Sequence, residues 1–202
     1  YNRGMKPEIE AKFLDVDFDD IRAKLIRLGA KCITPMRMMR RVVFDHQDDR
    51  LRSEHAWVRV SDEGNKITLT YKQTEEKSFG GAKEIELQID NYEKALDFFV
   101  AIGMKQLSDQ ETMRETWRLG DAEVVLDEWP WLNPFIEIEA ATKTEVQTIA
   151  NNLGLAWNDA VFGSVTTAYR LQYPAITADD HISKIERIKF DEPMPEWFTK
   201  EG

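Results

Sequence analysis

Apolar and polar residues alternate with a period of two over eight stretches of the chain, the spacing of half-buried strands. These stretches run roughly 7–14, 38–45, 55–61, 66–72, 82–89, 112–119, 122–129 and 135–141, with turn signals such as Asp62-Glu63-Gly64-Asn65 and Leu119-Gly120-Asp121 between them. Three other stretches carry the helical period, at about 18–28, 92–102 and 144–153. Each opens on a polar start signal (Asp17 or Asp19, Asn91, and Thr142 with Glu145) and stops at a glycine, Gly29, Gly103 or Gly154. Glu8-Ile9-Glu10, Glu84-Ile85-Glu86 and Glu137-Ile138-Glu139 precede these three helices in turn. This reads as one strand–helix unit used three times, or as a coincidence of a short pattern. After Pro174, Ile182, Ile185 and Ile188 keep a helix-like spacing before Pro193 and Pro195, which predicts a short helix and a loose end. Eight strands is the number at which a barrel closes around side chains or one small ligand. The expected fold is therefore α+β and mainly antiparallel β, an eight-stranded closed tunnel barrel with flanking helices.

The alternating faces sort their charges by sign. Glu8 and Glu10 oppose Ile9, Ala11 and Phe13; Glu84 and Glu86 oppose Ile85, Leu87 and Ile89; Glu137 and Glu139 oppose Ile136 and Ile138. Lys66 and Lys72 oppose Ile67, Leu69 and Tyr71, and Arg114 and Arg118 oppose Met113, Trp117 and Leu119. Taken singly, each strand reads as a sheet with one wet face. Like charges at i and i+2 repel, however, and a merely solvated face tends to mix signs. Carboxylates tolerate one another around a hard divalent cation, and oxygen-only ligation suits Mg²⁺ or Mn²⁺. Arg and Lys hold phosphate oxygens, the first as a fork and the second as a point charge. Ile9, Leu69, Ile85 and Ile138 are then expected outward under helices.

Composition narrows the classes. Hydrophobic residues at 42% with aromatics at 10% suffice for a core. A net charge of −10 argues against nucleic acid as a partner, though a small basic pocket is compatible with it. No apolar run approaches the ~20 residues that span a bilayer, so no membrane partner is expected. Cys32 is the only cysteine, and it reads as a buried, inert thiol in a reducing compartment, the cytoplasm. His46, His55 and His181 lack the spacing of a zinc site. Gly80-Gly81 reads as a turn, and Trp129 to Pro134 as a rigid turn or a rim touching the organic part of a substrate.

The opening strand, Glu8-Ile9-Glu10-Ala11-Lys12, resembles the ExExK signature of the CYTH superfamily, the triphosphate tunnel metalloenzymes. Arg40-Arg41-Val42-Val43-Phe44-Asp45, Trp57-Val58-Arg59-Val60 and Thr68-Leu69-Thr70-Tyr71-Lys72 resemble the strands that follow it. Lys83-Glu84-Ile85-Glu86, Arg114-Glu115-Thr116-Trp117, Val125-Leu126-Asp127, Pro134 to Glu139 and Thr166-Thr167-Ala168-Tyr169 continue the same order. The resemblance covers residues 5–173, leaving 174–202 as a C-terminal extension. It implies a tunnel that holds a triphosphate, with divalent metal, Mg²⁺ or Mn²⁺, on Glu8, Glu10, Asp127, Glu137 and Glu139. Lys12, Arg59, Lys72 and Arg114 sit at its phosphate-binding and catalytic positions, and Glu84 and Glu86 match an acidic pair that holds the cations in place.

Two positions depart from the pattern: Trp57 stands where an arginine is common, and Ala82 where another is. Arg40 or Arg41, and Lys66, are substitutes for the lost cations, and Arg118 extends the basic ladder of Arg114. Trp57 is either a core residue or a platform for an organic group. The expected function is metal-dependent hydrolysis of a small-molecule triphosphate (inorganic triphosphate, thiamine triphosphate or ATP) by a monomer or homodimer. The alternatives are a class IV adenylyl cyclase and a non-catalytic binder of polyphosphate or organic phosphate.

Overall fold

A computed structural model describes residues 9–73, 83–177, 182 and 185–199. In chain order the first half holds β1 (Ile9–Leu14), α1 (Phe18–Arg27), β2 (Lys31–Asp45), α2 (Arg50–Ser53), β3 (Ala56–Asp62), β4 (Ile67–Gln73) and β5 (Lys83–Ile89). The second holds α3 (Tyr92–Ala101), β6 (Lys105–Leu119), β7 (Ala122–Trp129), β8 (Leu132–Ala140), α4 (Lys143–Asn152), α5 (Val165–Gln172) and β9 (Arg187–Ile188).

The three expected helices form where the start and stop residues put them. Asp17 accepts from the backbone N–H of Asp19 at 2.8 Å, Asn91 from Lys94 at 2.9 Å, and Thr142 from Glu145 at 3.2 Å. Each side chain satisfies a donor that a first helical turn leaves without a partner. At the far ends Gly29, Gly103 and Gly154 have φ of 80°, 86° and 75°. The next residue of each turns back to a carbonyl five positions earlier, as in Ala30 N to Leu25 O at 3.0 Å. An L side chain at such a φ costs roughly 1–2 kcal/mol, which is why the stops are glycine.

The strands follow the order β1-β8-β7-β6-β2-β3-β4-β5, with antiparallel registers throughout β1-β8-β7-β6 and β2-β3-β4-β5. β9 pairs in parallel with β6. The expected α+β, mainly antiparallel fold with flanking helices is what the chain forms, without hydrogen-bonded closure among the described residues. Among the described residues the ladder ends at β1 and β5, each with one strand partner, and no rung closes it. β2 and β6 also run longer than their alternation suggested, at 15 residues each. Ile188 lies in β9 rather than on a helix, and Phe198 is 1% exposed rather than part of a loose end.

Two compact units divide the chain: 38–111 with 183–192, and 8–37 with 112–182 and 193–202, so that β2 and β6 contribute to both. In the first, Val42, Phe44, Val60, Tyr92 and Phe99 form a core to which Leu69, Tyr71 and Ile89 add. Ile85, expected under a helix, is 52% exposed on β5, the last strand of the order. In the second unit, Ala11, Phe13, Val124, Leu126, Ile136 and Ile138 bury one face of β1, β7 and β8 against Ile21 and Leu25 of α1 and Val146 and Ile149 of α4. Truncating Leu25, fully buried, is worth about 2–5 kcal/mol. Cys32 is exposed, contrary to expectation, because it lies at the exposed beginning of β2.

Candidate active site

In the second unit the polar faces of four strands line up in rows. Glu10 of β1 lies opposite Glu139 of β8, Glu139 opposite Glu123 of β7, and Glu123 opposite Arg118 of β6. The next row is Lys12, Glu137, Val125 and Thr116, and the third is Leu14, Phe135, Asp127 and Arg114. Like charges directly opposite one another destabilise a ladder, so this face needs internal cations, and it has them. Lys12, 2% exposed, places Nζ 2.8 Å from Glu10 Oε1, 3.1 Å from Glu137 Oε1 and 2.8 Å from the carbonyl of Gly163. Those three acceptors match the three N–H groups of an ammonium. Burial alone would push the lysine toward neutrality; Glu137 and Glu10 outweigh it and hold the group charged, above its ordinary range.

Arg114 makes the second bridge. Its Nε donates to Asp127 Oδ1 at 2.7 Å, and its Nη2 donates to Asp127 Oδ2 and, at 3.2 Å, to Glu137 Oε2. Burial opposes the charge on this guanidinium too, and Asp127, then Glu137, more than compensate, so its affinity for the proton rises. Asp127 is 1% exposed, a fully buried carboxylate held by a planar fork. Arg118 lies at the open end of the same face, 3.4 Å from Glu123. Glu8 lies outside the described residues.

Glu10, Arg114, Glu123, Val125, Glu137 and Glu139 surround a cavity of ≈ 20 Å³. That is room for one water-sized body. Among the described residues no three acidic, His or Cys side chains draw together into a ready-made cage. The donor set nevertheless fits a hard divalent ion, which keeps several waters and takes one or two carboxylates together with substrate phosphate. Glu10, Glu137 and Glu139 would hold it; Asp127 has both oxygens on Arg114.

The first unit builds its polar face differently. Arg41, Ser61, Thr68 and Gln88 form one row across β2-β3-β4-β5, and Val43, Arg59, Thr70 and Glu86 the next. Trp57, Lys72 and Glu84 form a third across β3-β4-β5. Arg41, Ser61, Thr68 and Thr70 are buried although polar. Lys72 Nζ is 3.1 Å from Glu84, and Lys66 Nζ is 3.0 Å from Glu86 and 3.6 Å from Glu63. Arg59 Nε and Thr70 Oγ1, on residues directly opposite one another, are buried with no hydrogen-bond partner among the described residues. Such orphaned groups are rare and costly, on the order of 1–3 kcal/mol each. Ala82 and His181 lie outside the described residues, as does the Gly80-Gly81 turn.

Sequence reasoning missed two carboxylates. Glu123 shares a face of β7 with Asp127, a period-two signal that was there to be read. Glu115 lies on the apolar face with Trp117, where no alternation rule would place it. It is 6% exposed, takes Trp117 Nε1 at 2.6 Å and binds the Arg22 fork at 3.0–3.3 Å. In the Trp129–Pro134 stretch only Pro130 and Trp131 form the turn between β7 and β8, and Trp131 has φ 64°. Its carbonyl accepts from Tyr173 Oη and Gln172 Nε2, and its ring meets Phe198 edge-on at 5.8 Å.

Antiparallel ladders with helices against an apolar face and sorted charges on a polar face define a class of fold shared with known proteins. The pattern of the CYTH domain matches residues 6–156, and the chain belongs to that family. It is 28% identical over 133 residues to a Methanocaldococcus jannaschii protein named putative adenylate cyclase, covering 65% of this chain and 75% of that one. A Pyrococcus horikoshii structure, the PH1012 protein, superposes with a TM-score of 0.64 at 26% identity over 76% of this chain and 94% of its own. A Hippeastrum structure covers 82% of this chain and 96% of its own, with a TM-score of 0.56 and 15% identity. It is described as a putative adenylyl cyclase with a dominant triphosphatase activity.

Proposed function

We propose that this chain is a divalent-metal-dependent enzyme that acts on the triphosphate of a small molecule, and that it hydrolyses it. The carrying observation is the pair of orphaned buried groups, Arg59 Nε and Thr70 Oγ1, on a polar face that also bears Arg41 and Lys72. Phosphate oxygens satisfy both a guanidinium N–H and a hydroxyl. Lys12 and Arg114 hold Glu10, Glu137 and Asp127 in place. A divalent ion, when bound, supplies charge neutralisation at the phosphoryl oxygens and an activated water. Water adds to the terminal phosphorus, the bridging P–O bond breaks, and orthophosphate and the diphosphate leave. Cations of the kind that Arg59 and Lys72 supply stabilise the negative charge that develops on a transferring phosphoryl group.

The name of the M. jannaschii relative supports a second reading, cyclisation, in which the 3′-oxygen of ATP attacks the α-phosphorus and pyrophosphate leaves. Inorganic triphosphate, thiamine triphosphate and ATP are supplied with Mg²⁺ or Mn²⁺, while phosphate, pyrophosphate and cyclic AMP are followed separately. Phosphate release is the expected result. Cyclic AMP with stoichiometric pyrophosphate would replace hydrolysis by cyclisation, and turnover of none of the three would leave a non-catalytic binder.

A further inference from the structure

Lys12 is held by β8 on one side and by the turn that leads into α5 on the other. β1 ends the ladder, and on its side away from β8 it meets Val161. Lys12 N donates to Val161 O, and Val161 N donates to Lys12 O, each at 2.9 Å. With both backbone groups turned to Val161, Lys12 stands opposite Glu137 as a non-hydrogen-bonded pair, the kind in which side chains lie closer. Two residues beyond Val161, the carbonyl of Gly163 accepts from Lys12 Nζ at 2.8 Å. Gly163 has φ 95°, and a Cβ there would lie 3.3 Å from Thr167 Oγ1. Glycine takes that backbone shape without strain, so the residue type and the aim of the carbonyl go together. Glu10 and Glu137, the other two acceptors of the ammonium, line the cavity of ≈ 20 Å³, whereas Lys12 and Gly163 do not.

We propose that Gly163 is a positioning residue whose carbonyl tethers the Lys12 ammonium beside the cavity, so that a divalent ion takes Glu10 and Glu137 without the lysine filling its place. This rests on the divalent-metal reading above and deepens it. Ammonium and ion draw on the same carboxylate oxygens, and Gly163 O is the acceptor that belongs to the ammonium alone. Lys12 is 2% exposed, so an ammonium that loses the carbonyl has no water to turn to. The pull that remains comes from Glu10 and Glu137. Released, the ammonium settles between them as a built-in cation and excludes the ion.

The test is a double-variant cycle, read by calorimetric titration of the metal-free protein with Mn²⁺ and accompanied by melting temperatures. Gly163→Ala is expected to weaken Mn²⁺ binding about tenfold or more when Lys12 is present, the usual effect of losing a group that orients metal ligands. In Lys12→Met, where no ammonium is left to tether, the same change is expected to shift binding by less than roughly threefold. Gly163→Asn, a residue that tolerates positive φ better than alanine, takes its place should the alanine variant not fold, with the same contrast between backgrounds expected. Equal weakening in both backgrounds would make Gly163 a purely structural glycine and overturn the proposal. Unchanged binding with Lys12 present would overturn it as well, and both results leave the divalent-metal reading standing. A wild type that binds no Mn²⁺ would overturn that reading and the proposal with it.

Discussion

Arg114 and Arg59 both stand on the polar face of a four-stranded antiparallel ladder, and they do different work. Arg114 is surrounded by acid: Asp127 takes two of its nitrogens and Glu137 shares one. Arg59 faces Thr70, and its Nε has no acceptor among the described residues. One face satisfies itself with internal ion pairs, while the other carries buried polar groups that nothing within it satisfies. In the proposed function the first is a scaffold that holds carboxylates in register, and the second is the surface that the phosphate completes. A charged residue on a strand therefore acquires its role from the row it stands in.

The strongest way to break this contrast is Glu137→Ala. It removes a carboxylate that Lys12 and Arg114 share, yet Lys12 keeps Glu10 and Gly163 O, and Arg114 keeps Asp127. The fold should survive while kcat/KM falls by about 10²-fold or more, together with divalent-ion binding measured by calorimetry; full metal-dependent activity would remove Glu137 from the site. The arginines come next. Arg114→Ala strands Asp127 without its fork and should cost about 3–5 kcal/mol of stability in chemical denaturation. Arg59→Ala should cost less than ~1 kcal/mol, since it deletes an unsatisfied donor, while lowering turnover by about 10²–10³-fold. Equal stability losses in the two variants would erase the distinction.

Smaller effects sharpen it. In Glu115 burial works against the carboxylate charge, but the Arg22 fork and Trp117 Nε1 prevail and hold its carboxyl below the usual range. Its contribution is complete at neutral pH and is lost as pH falls through that lowered folded value. Glu115→Gln should cost about 1–3 kcal/mol at pH 7, and the gap from wild type should close in acid; a gap that widens there would contradict the sign. Last is Lys66→Ala. Lys66 and Glu86 are 37% and 39% exposed, and such a pair is worth no more than ~1 kcal/mol. A larger loss in denaturant titration would place Lys66 among the scaffold cations.

The helices were legible because their signals are local: Asp17, Asn91 and Thr142 at one end, Gly29, Gly103 and Gly154 at the other. The charge rows were half legible. Period two puts Glu137 and Glu139 on one face, but only the register reveals that Glu139 lies between Glu10 and Glu123. The early part of β2 was hidden by Pro35, a residue that argues against a strand interior. The early part of β6 was hidden because Ser108 and Gln110 are polar yet buried, with Ser108 Oγ bonded to the carbonyl of Ile185 at 2.6 Å. Three isoleucines at a spacing of three looked helical, and a two-residue pairing with β6 decided otherwise for Ile188. Glu115 was not legible because the Arg22 fork that balances its charge lies 93 residues back, although Trp117, which also donates to it, is only two residues on.

The pairing of Ile9 with Ala140 bears on how the chain is made. β1 leaves the ribosome before its ladder partner β8, which is synthesised well over a hundred residues later. At about 5–20 residues per second the nascent strand waits on the order of ten seconds. During that time its backbone edge is open to any other strand nearby. Glu10 and Lys12 on its polar side are the residue types that discourage such encounters. The residues that end up holding the site together thus also keep the unfinished chain from sticking while β8 is still being translated.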